Sequence, residues 1–142
     1  MKFTLVDAIL SMTDDEVVAI KHVSLAEEYL QDHFPGYPIL PGVLMLEAMV
    51  QAARQLLQPR ADHRLVLGRV RSLKYGAMVP PGRSLRVTVR AAATDDDGCI
   101  ECRGSGVLVA PGDAPDADRP TAVSGRFQMR PVRTVATLPV SG

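Results

Sequence analysis

The sequence predicts an α+β domain in which one long central helix is wrapped by a curved antiparallel sheet of about six strands. Three observations support this prediction. One apolar stretch, residues 43–50, is interrupted only by Glu47 and lies between a Pro-Gly pair and a proline. Shorter segments rich in β-branched residues surround it, and their short connections suit antiparallel pairing. A helix that is apolar on nearly every side must be covered on nearly every side, which a curved sheet does.

Two strands and a short helix are expected before the central helix. Residues 4–12 and 16–23 are apolar, β-branched runs around a Thr-Asp-Asp turn, so we expect an opening hairpin. Ser24 is followed by acids three and four residues later, which is a capping signature. It predicts a short helix that ends at about Asp32.

A stiff loop leads into the central helix. Five of the ten residues 33–42 are Pro or Gly, so this segment is neither a helix nor a central strand and loses little entropy on ordering. Proline is favoured in the first turn of a helix, so the central helix should begin at Pro41-Gly42. It should run to about Gln58, because Pro59 stops it.

Four further strands are expected after the helix, at residues 65–75, 84–93, 99–110 and 121–130. Residues 110–120 are rich in Pro, Gly, Ala and Asp and predict a mobile loop. Residues 131–142 are expected to form a loosely ordered tail. At this length, residues 1–142 should form a single domain with a real hydrophobic core.

Charge and hydropathy exclude several classes of function. Sixteen basic and sixteen acidic residues balance overall. Residues 1–60 carry four basic and eight acidic side chains, and residues 61–142 carry twelve and eight. No block of like charges indicates a nucleic-acid footprint. The apolar run is too short to span a bilayer and the first residues lack a cleavage pattern, so we expect a cytoplasmic protein.

The two cysteines, Cys99 and Cys102, form a single C-x-x-C motif. A structural zinc site needs a second pair of ligands, which the sequence does not supply. Positions three apart on a strand also face opposite sides of the sheet. We therefore interpret both as ordinary strand cysteines, with redox or metal chemistry as the alternative.

Glu47 has two interpretations. It falls at helical spacing with later polar residues and could belong to one solvated stripe, which comprises Glu47, Gln51, Arg54, Gln55 and Gln58. Against this, seven of the eight residues 43–50 are apolar. A carboxylate in dry surroundings must pair, accept hydrogen bonds or keep its proton. Pattern alone leaves both interpretations open.

His33 and the start of the helix supply two further candidate functional groups, an imidazole and a pair of backbone amides. His33 can titrate near neutrality, although a loop histidine is more often a surface or packing residue. The first helix amides, of Gly42 and Val43, lack acceptors within the helix and carry partial positive charge. A base, an acid and an oxyanion donor in one short segment suggest proton abstraction next to a carbonyl. No spaced set of His, Asp and Glu residues predicts a metal site.

These residues belong to a longer motif, H-F-P-G-x-P-x-x-P-G-V-L-x-x-E-A-M-x-Q, which runs from His33 to Gln51. It resembles the signature of the 3-hydroxyacyl-(acyl carrier protein) dehydratases of type II fatty-acid synthesis. Glutamate at position 47 is more similar to the branch that only dehydrates than to the branch that also isomerises the double bond. The segments Leu5-Val6-Asp7, Leu73-Lys74-Tyr75 and Val79-x-Pro81-Gly82 match as well, so the resemblance covers most of residues 3–90.

The resemblance implies a hot-dog fold and a dimer, often a trimer of dimers, with each active site built across the dimer interface. It implies that His33 of one subunit removes the C2 proton and that Glu47 of its neighbour helps to expel the 3-hydroxyl. The Gly42 amide would hold the thioester oxygen. No metal or organic cofactor is implied. The remaining substrate contacts it implies are Phe34, Pro41, Val43, Leu44 and Gln51.

The implied partner is an acyl carrier protein, which is acidic in this family's systems. Arginine and lysine side chains on the later strands are candidates for a docking rim, although strand arginines are usually only solvated. The candidates are Arg69, Arg71, Lys74, Arg126 and Arg130.

The chain departs from the family pattern in three places, one of which is the loop of residues 110–120, which is longer than is typical of the family. Arg83 stands where the family usually has an acid after Pro-Gly, and residues 74–78 replace a more usual F-x-x-P segment beside the tunnel. Two alternatives follow. A hot-dog thioesterase would use the helix carboxylate to direct water and would not need His33. An acyl-binding homologue without activity would keep the motif by descent.

Overall fold

The computed structural model describes residues 4–24, 26 and 39–132. It contains six strands and one α-helix, which we label in chain order. The strands are β1 (Ala8–Met12), β2 (Glu16–His22), β3 (Leu65–Tyr75), β4 (Ser84–Ala91), β5 (Ile100–Val109) and β6 (Thr121–Pro131). The helix is α1 (Gly42–Leu57), and a 3₁₀ turn, Gln58–Arg60, follows it directly.

The six strands form one antiparallel sheet in the order β1-β2-β4-β5-β6-β3. Strand β3 follows the helix and runs to the far edge, where it pairs only with β6 among the described strands. Shifts in its register lie between Leu67 and Arg69 and between Arg71 and Lys74. Strand β3 is therefore a long edge strand with two irregularities.

Helix α1 packs across one face of this sheet and makes most of the core with it. Buried helix residues include Met45, Met49 and Leu56. They meet residues of the inner face such as Val87 and Phe127. A Cβ added at Gly104 of β5 would lie 2.6 Å from the Met49 sulfur, so glycine is needed where the helix approaches the strand closely.

This arrangement confirms the predicted α+β architecture of a central helix on an antiparallel sheet of six strands. Two boundaries differ from the prediction by two residues or more, and several others differ by one. Strand β1 begins at Ala8 rather than at residue 4, because the Leu5 amide donates to the Gln51 side chain of the helix, although the Asp7 amide still donates to the Ile20 carbonyl of β2. Strand β4 ends at Ala91. Of the predicted helix before residue 33, only Ser24 and Ala26 belong to the described residues, and they are not helical.

The loop of residues 110–120 is held by its own polar groups. Arg119 donates to the carbonyl of Ala114 at 2.9 Å, and Asp113 accepts from the amide of Ala110 at 2.9 Å. Pro131 ends β6 and the Val132 amide donates to the Arg64 carbonyl at 2.7 Å, so the sheet pairing continues into the first residues of the predicted tail. The mobility of residues 110–120 stays a prediction. In the described part of the chain, no helix has the length and hydropathy needed to cross a membrane.

Candidate active site at the start of the central helix

The start of α1 presents backbone amides rather than side chains. Pro41 is the N-cap, with an extended backbone (φ −59°, ψ 142°) and no capping hydrogen bond from its side chain. Its carbonyl accepts from the amides of Leu44 and Met45 at 3.0 and 3.2 Å. The amides of Gly42 and Val43 precede these and have no acceptor within the helix. No acid in the first turn neutralises their partial positive charge.

The segment before the helix is anchored to the connection between β3 and β4. Leu40 is buried, and its amide donates to the carbonyl of Val79 at 2.8 Å. Val79 is itself fully buried and begins the Val-Pro-Pro-Gly turn. Two motifs that are far apart in the sequence thus fix the position of the helix start.

Tyr75 lies directly against the start of the helix; its segment was expected beside the tunnel, but it was not among the predicted site residues. A Cβ added at Gly42 would lie 2.8 Å from two carbons of the Tyr75 ring. Burial raises the pKa of the Tyr75 phenol. Strand alternation predicts that Lys74 and Tyr75 face opposite sides of the sheet, but it does not predict the contact with Gly42. Glycine at position 42 therefore leaves room for the Tyr75 ring, and it also lets a ligand approach the helix start closely.

Glu47 is held by Gln51, one turn further along α1. The Gln51 side-chain nitrogen donates to a Glu47 carboxylate oxygen at 3.2 Å. The amide oxygen of Gln51 accepts from the backbone amide of Leu5 at 2.7 Å. Because the Leu5 amide can only donate, it fixes the orientation of the Gln51 amide group and directs its nitrogen at the carboxylate.

The polar side of α1 is partly covered rather than fully solvated. Glu47, Gln51, Arg54 and Gln58 are all half-buried, and of the predicted stripe only Gln55 is exposed. Arg54 donates to the carbonyl of Leu65 at 3.2 Å, and Gln58 accepts from the Leu65 amide at 2.9 Å. Neighbouring chain segments thus satisfy polar groups of Arg54 and Gln58, whereas Glu47 and Gln51 keep part of their surface exposed.

The surroundings of the helix start are apolar and partly open. Val43, Tyr75 and Met78 expose 66 %, 51 % and 55 % of their surfaces. Large apolar side chains that are exposed together are typical of a surface that binds a ligand or another protein. Leu44, one position after Val43, is half-buried against the core.

Six of the eight predicted catalytic and substrate-binding residues thus lie on one continuous segment, which comprises Pro41, Gly42, Val43, Leu44, Glu47 and Gln51. The other two, His33 and Phe34, lie outside the described residues. Their predicted roles, and the substrate contact predicted for Gln51, stay predictions.

The five candidate docking residues do not lie on the helix side of the sheet. Arg126 and Arg130 alternate with the buried Phe127 and Met129 on β6, so they point to the outer face. Arg71 pairs directly with Arg126, and Lys74 pairs with Ser124. Arg69 pairs with Gln128, which is also on the outer face. All five therefore share the face opposite the helix.

The cysteines take no part in this site. Cys102 is buried in the core, and burial raises the pKa of its thiol to about 12. Cys99 precedes β5, and burial followed by the nearby carboxylates of Asp95 and Asp97 raises its pKa as well. Both thiols are free, and the described residues contain no cluster of potential metal ligands.

Comparison with known proteins places these features in context. Residues 10–110 match the model of the ApeI-like family, described as ApeI dehydratase. The chain is 44 % identical over 86 residues to the 3-hydroxyacyl-[acyl-carrier-protein] dehydratase FabZ of Lactococcus lactis subsp. cremoris, covering 58 % of this chain and 60 % of that protein. It is 39 % identical over 89 residues to the FabZ dehydratase of Streptococcus equi subsp. zooepidemicus, covering 61 % and 64 %. The chain thus spans less than two thirds of the length of these curated relatives.

Solved structures resemble the fold over most of the chain. One is the dehydratase heterocomplex ApeI:P from Xenorhabdus doucetiae, with a TM-score of 0.61, 19 % identity and coverage of 92 % of this chain and 99 % of that one. Another is a thioesterase superfamily member from Thermus thermophilus, with a TM-score of 0.62, 19 % identity and coverage of 85 % and 84 %. At this identity they show the fold alone. Together with the helix and the sheet they confirm the predicted hot-dog fold.

Proposed function

The chain belongs to the ApeI-like dehydratase family, and from this we propose that it converts 3-hydroxyacyl thioesters to trans-2-enoyl thioesters. The observation that carries the proposal is the Glu47 carboxylate. It is half-buried, it is oriented by Gln51, and it lies one turn beyond the unpaired amides that begin α1. An acid and an oxyanion donor fixed on the same helix suit elimination next to a carbonyl.

In the proposed reaction the Gly42 amide donates to the thioester oxygen, on which negative charge develops. His33 accepts the C2 proton, and the electrons of the broken C–H bond form the C2–C3 double bond. The C3–O bond breaks as Glu47 delivers a proton to the leaving hydroxyl, which departs as water. The acyl chain would be lined by Pro41, Val43, Leu44 and Phe34. The reaction needs no electron donor or acceptor.

We propose that the active enzyme is a homodimer formed along β3. This strand has eleven residues, lies at the sheet edge, and is exposed on both faces over residues 68–72. A long edge strand offers unpaired backbone groups to a second copy. The exposed Val43, Tyr75 and Met78 would be covered by the same association, which would bring His33 of one subunit to Glu47 of the other. A trimer of such dimers is the larger assembly that the family resemblance implies, and a measured mass distinguishes the two.

We also propose that the substrate arrives on an acidic acyl carrier protein, which docks on the outer face at Arg69, Arg71, Lys74, Arg126 and Arg130. The shared orientation of these five side chains supports the proposal, because clustered charge steers an acidic partner. The KM for a carrier-bound substrate should rise with ionic strength. A small crotonyl thioester is the control, since its KM should not change. A carrier KM that is indifferent to salt would refute this docking face.

The central experiment measures hydration of a crotonyl thioester by loss of the enoyl absorbance. Glu47→Gln should lower kcat by about 10²- to 10⁴-fold, the usual contribution of a general acid or base. Glu101→Gln is the matched control, because Glu101 is an exposed carboxylate on β5. His33→Ala should abolish hydration as well. A thioesterase would instead release free thiol from the thioester, and that release would continue in His33→Ala. The thioesterase alternative otherwise rests on a likeness of fold only.

A further inference from the structure

Four arginines form a row across the outer face of the sheet, on adjacent strands. Arg90 of β4 pairs with Arg103 of β5, and Arg103 pairs with Arg126 of β6. Arg126 pairs in turn with Arg71 of β3. Because neighbouring strands are about 4.8 Å apart, the four Cα atoms span only about 14 Å.

A row of small hydroxyl side chains lies beside the arginines, two residues along each strand. Thr88 pairs with Ser105, Ser105 pairs with Ser124, and Ser124 pairs with Lys74. Small side chains beside long ones leave a trough, and a cavity of about 560 Å³ occupies this place. The residues that line it are Glu16, Ser72, Lys74, Thr88, Arg90, Arg103, Gly104, Ser105, Ser124, Gly125 and Arg126.

The positive charge of this trough is largely uncompensated. Arg90 is paired with Glu16 at 2.6 Å. Within the described residues, Lys74, Arg103 and Arg126 form no ion pair, and Glu101 nearby accepts instead from Gln128 at 3.1 Å. Like charges directly opposite each other on neighbouring strands destabilise a sheet. Such a row is unfavourable, and an anion bound among the arginines would offset the repulsion.

Strand β3 is distorted where it borders the trough. Ser72 has φ 54°, and it is the one residue other than glycine with positive φ among the described residues. The distortion coincides with the register shift between Arg71 and Lys74. Bulges and strained residues of this kind re-aim side chains, and they concentrate at functional sites.

We propose that this trough is a second ligand site, which binds the phosphate group of a phosphorylated small molecule. Guanidinium groups match phosphate oxygens with two parallel hydrogen bonds, and the hydroxyls of Thr88, Ser105 and Ser124 supply shorter donors beside them. The volume is that of a site for a small molecule. The trough lies on the face of the sheet away from helix α1, because the Cβ side of Gly104 faces Met49 of the helix.

Two kinds of ligand would carry such a phosphate group to the trough. One is a free phosphorylated metabolite, for which inorganic pyrophosphate is the probe. The other is the phosphopantetheine arm of the proposed carrier, for which free 4′-phosphopantetheine is the probe. Stabilisation by both probes identifies a general phosphate site, and stabilisation by 4′-phosphopantetheine alone identifies the arm as the ligand.

Thermal unfolding of the intact protein tests the proposal, with sodium chloride at equal ionic strength as the reference. At least one of the two probes should raise the melting temperature in a saturable way. Arg103→Gln should abolish this rise and should itself raise the melting temperature without ligand by about 2–4 °C, since it removes two like-charge contacts. Arg83→Gln, which changes an exposed arginine outside the trough, should respond like the wild type.

Two further variants separate this site from folding and from catalysis. Ser105→Ala leaves the charge unchanged and should weaken the apparent affinity severalfold. Glu47→Gln should bind the probes as tightly as the wild type, so failure of the proposed dehydration would leave this result intact. Stabilisation no greater than that by sodium chloride, or an unchanged response in both Arg103→Gln and Ser105→Ala, would overturn the proposal.

Discussion

Substitution of Gly42 by alanine tests how Tyr75 positions the start of the helix. The new Cβ would lie 2.8 Å from two ring carbons of Tyr75. Carbon atoms pack best at about 3.5–4.0 Å, so the overlap is about 0.7–1.2 Å and the ring must move. Half of the Tyr75 surface is exposed, so the ring can turn towards solvent. We therefore expect the free energy of unfolding to fall by about 1–2 kcal/mol, near the lower end of the range for overpacked residues.

The same substitution in a Tyr75→Ala background is the matched comparison. With the ring absent, alanine at position 42 meets no clash and gains up to about 1 kcal/mol from its helix propensity. Urea unfolding of the wild type, the two single variants and the double variant gives the coupling free energy directly. We expect a coupling of about 1–3 kcal/mol, the cost with the ring present minus the small gain with it absent. An equal cost of Gly42→Ala in both backgrounds would refute the contact between Gly42 and Tyr75.

Four further predictions follow from other parts of the molecule. Gln51→Met should lower the free energy of unfolding by about 1–2 kcal/mol, because it leaves the Leu5 amide unsatisfied. It should also change the pH profile of kcat, whereas a purely structural role would leave that profile unchanged. Cys102 should resist iodoacetamide at pH 8 in the native state, and rapid alkylation would contradict its burial. Because its pKa is raised from 9.0 to about 12 on folding, its contribution to stability should be complete below pH 9 and should be lost as the pH rises towards 12. Arg119→Ala should speed amide hydrogen exchange over residues 110–120, and unchanged exchange would mean that its hydrogen bonds do not hold the loop. Val70→Lys places a charge on the edge strand and should shift the protein from dimer to monomer in sedimentation, whereas an unshifted mass would refute pairing along β3.

The fold was predictable because its strongest signals are local. The Pro-Gly pair at 41–42 and Pro59 bound the helix, and the alternation along residues 84–91 fixes which side of β4 is buried. Strand β1 was less predictable. The sequence pattern predicts Leu5 in a strand, yet its backbone amide donates to the Gln51 side chain, 46 residues away. Sequence periodicity contains no information about such a long-range hydrogen bond.

The candidate site was predictable only where it is contiguous. Residues 41–51 fall on one helix segment, so their proximity follows from the helix itself. Tyr75 comes from the last position of an edge strand, and only the pairing of β3 with β6 places it beside Gly42. The arginine row is harder to predict from the sequence, because the prediction would need the register of four strands at once. A shift of one residue in any strand would move its arginine to the other face.

Mixing two inactive variants tests the proposed site most directly. Subunits of His33→Ala and Glu47→Gln are unfolded together in urea, refolded, and assayed by the enoyl absorbance. If His33 of one subunit works with Glu47 of its neighbour, half of the dimers are mixed and each has one intact site. The proposed account therefore predicts recovery of about a quarter of wild-type activity, from variants that are each inactive alone. A mixture as inactive as its components would contradict a site shared between subunits, and full activity in either variant alone would contradict the acid–base assignment.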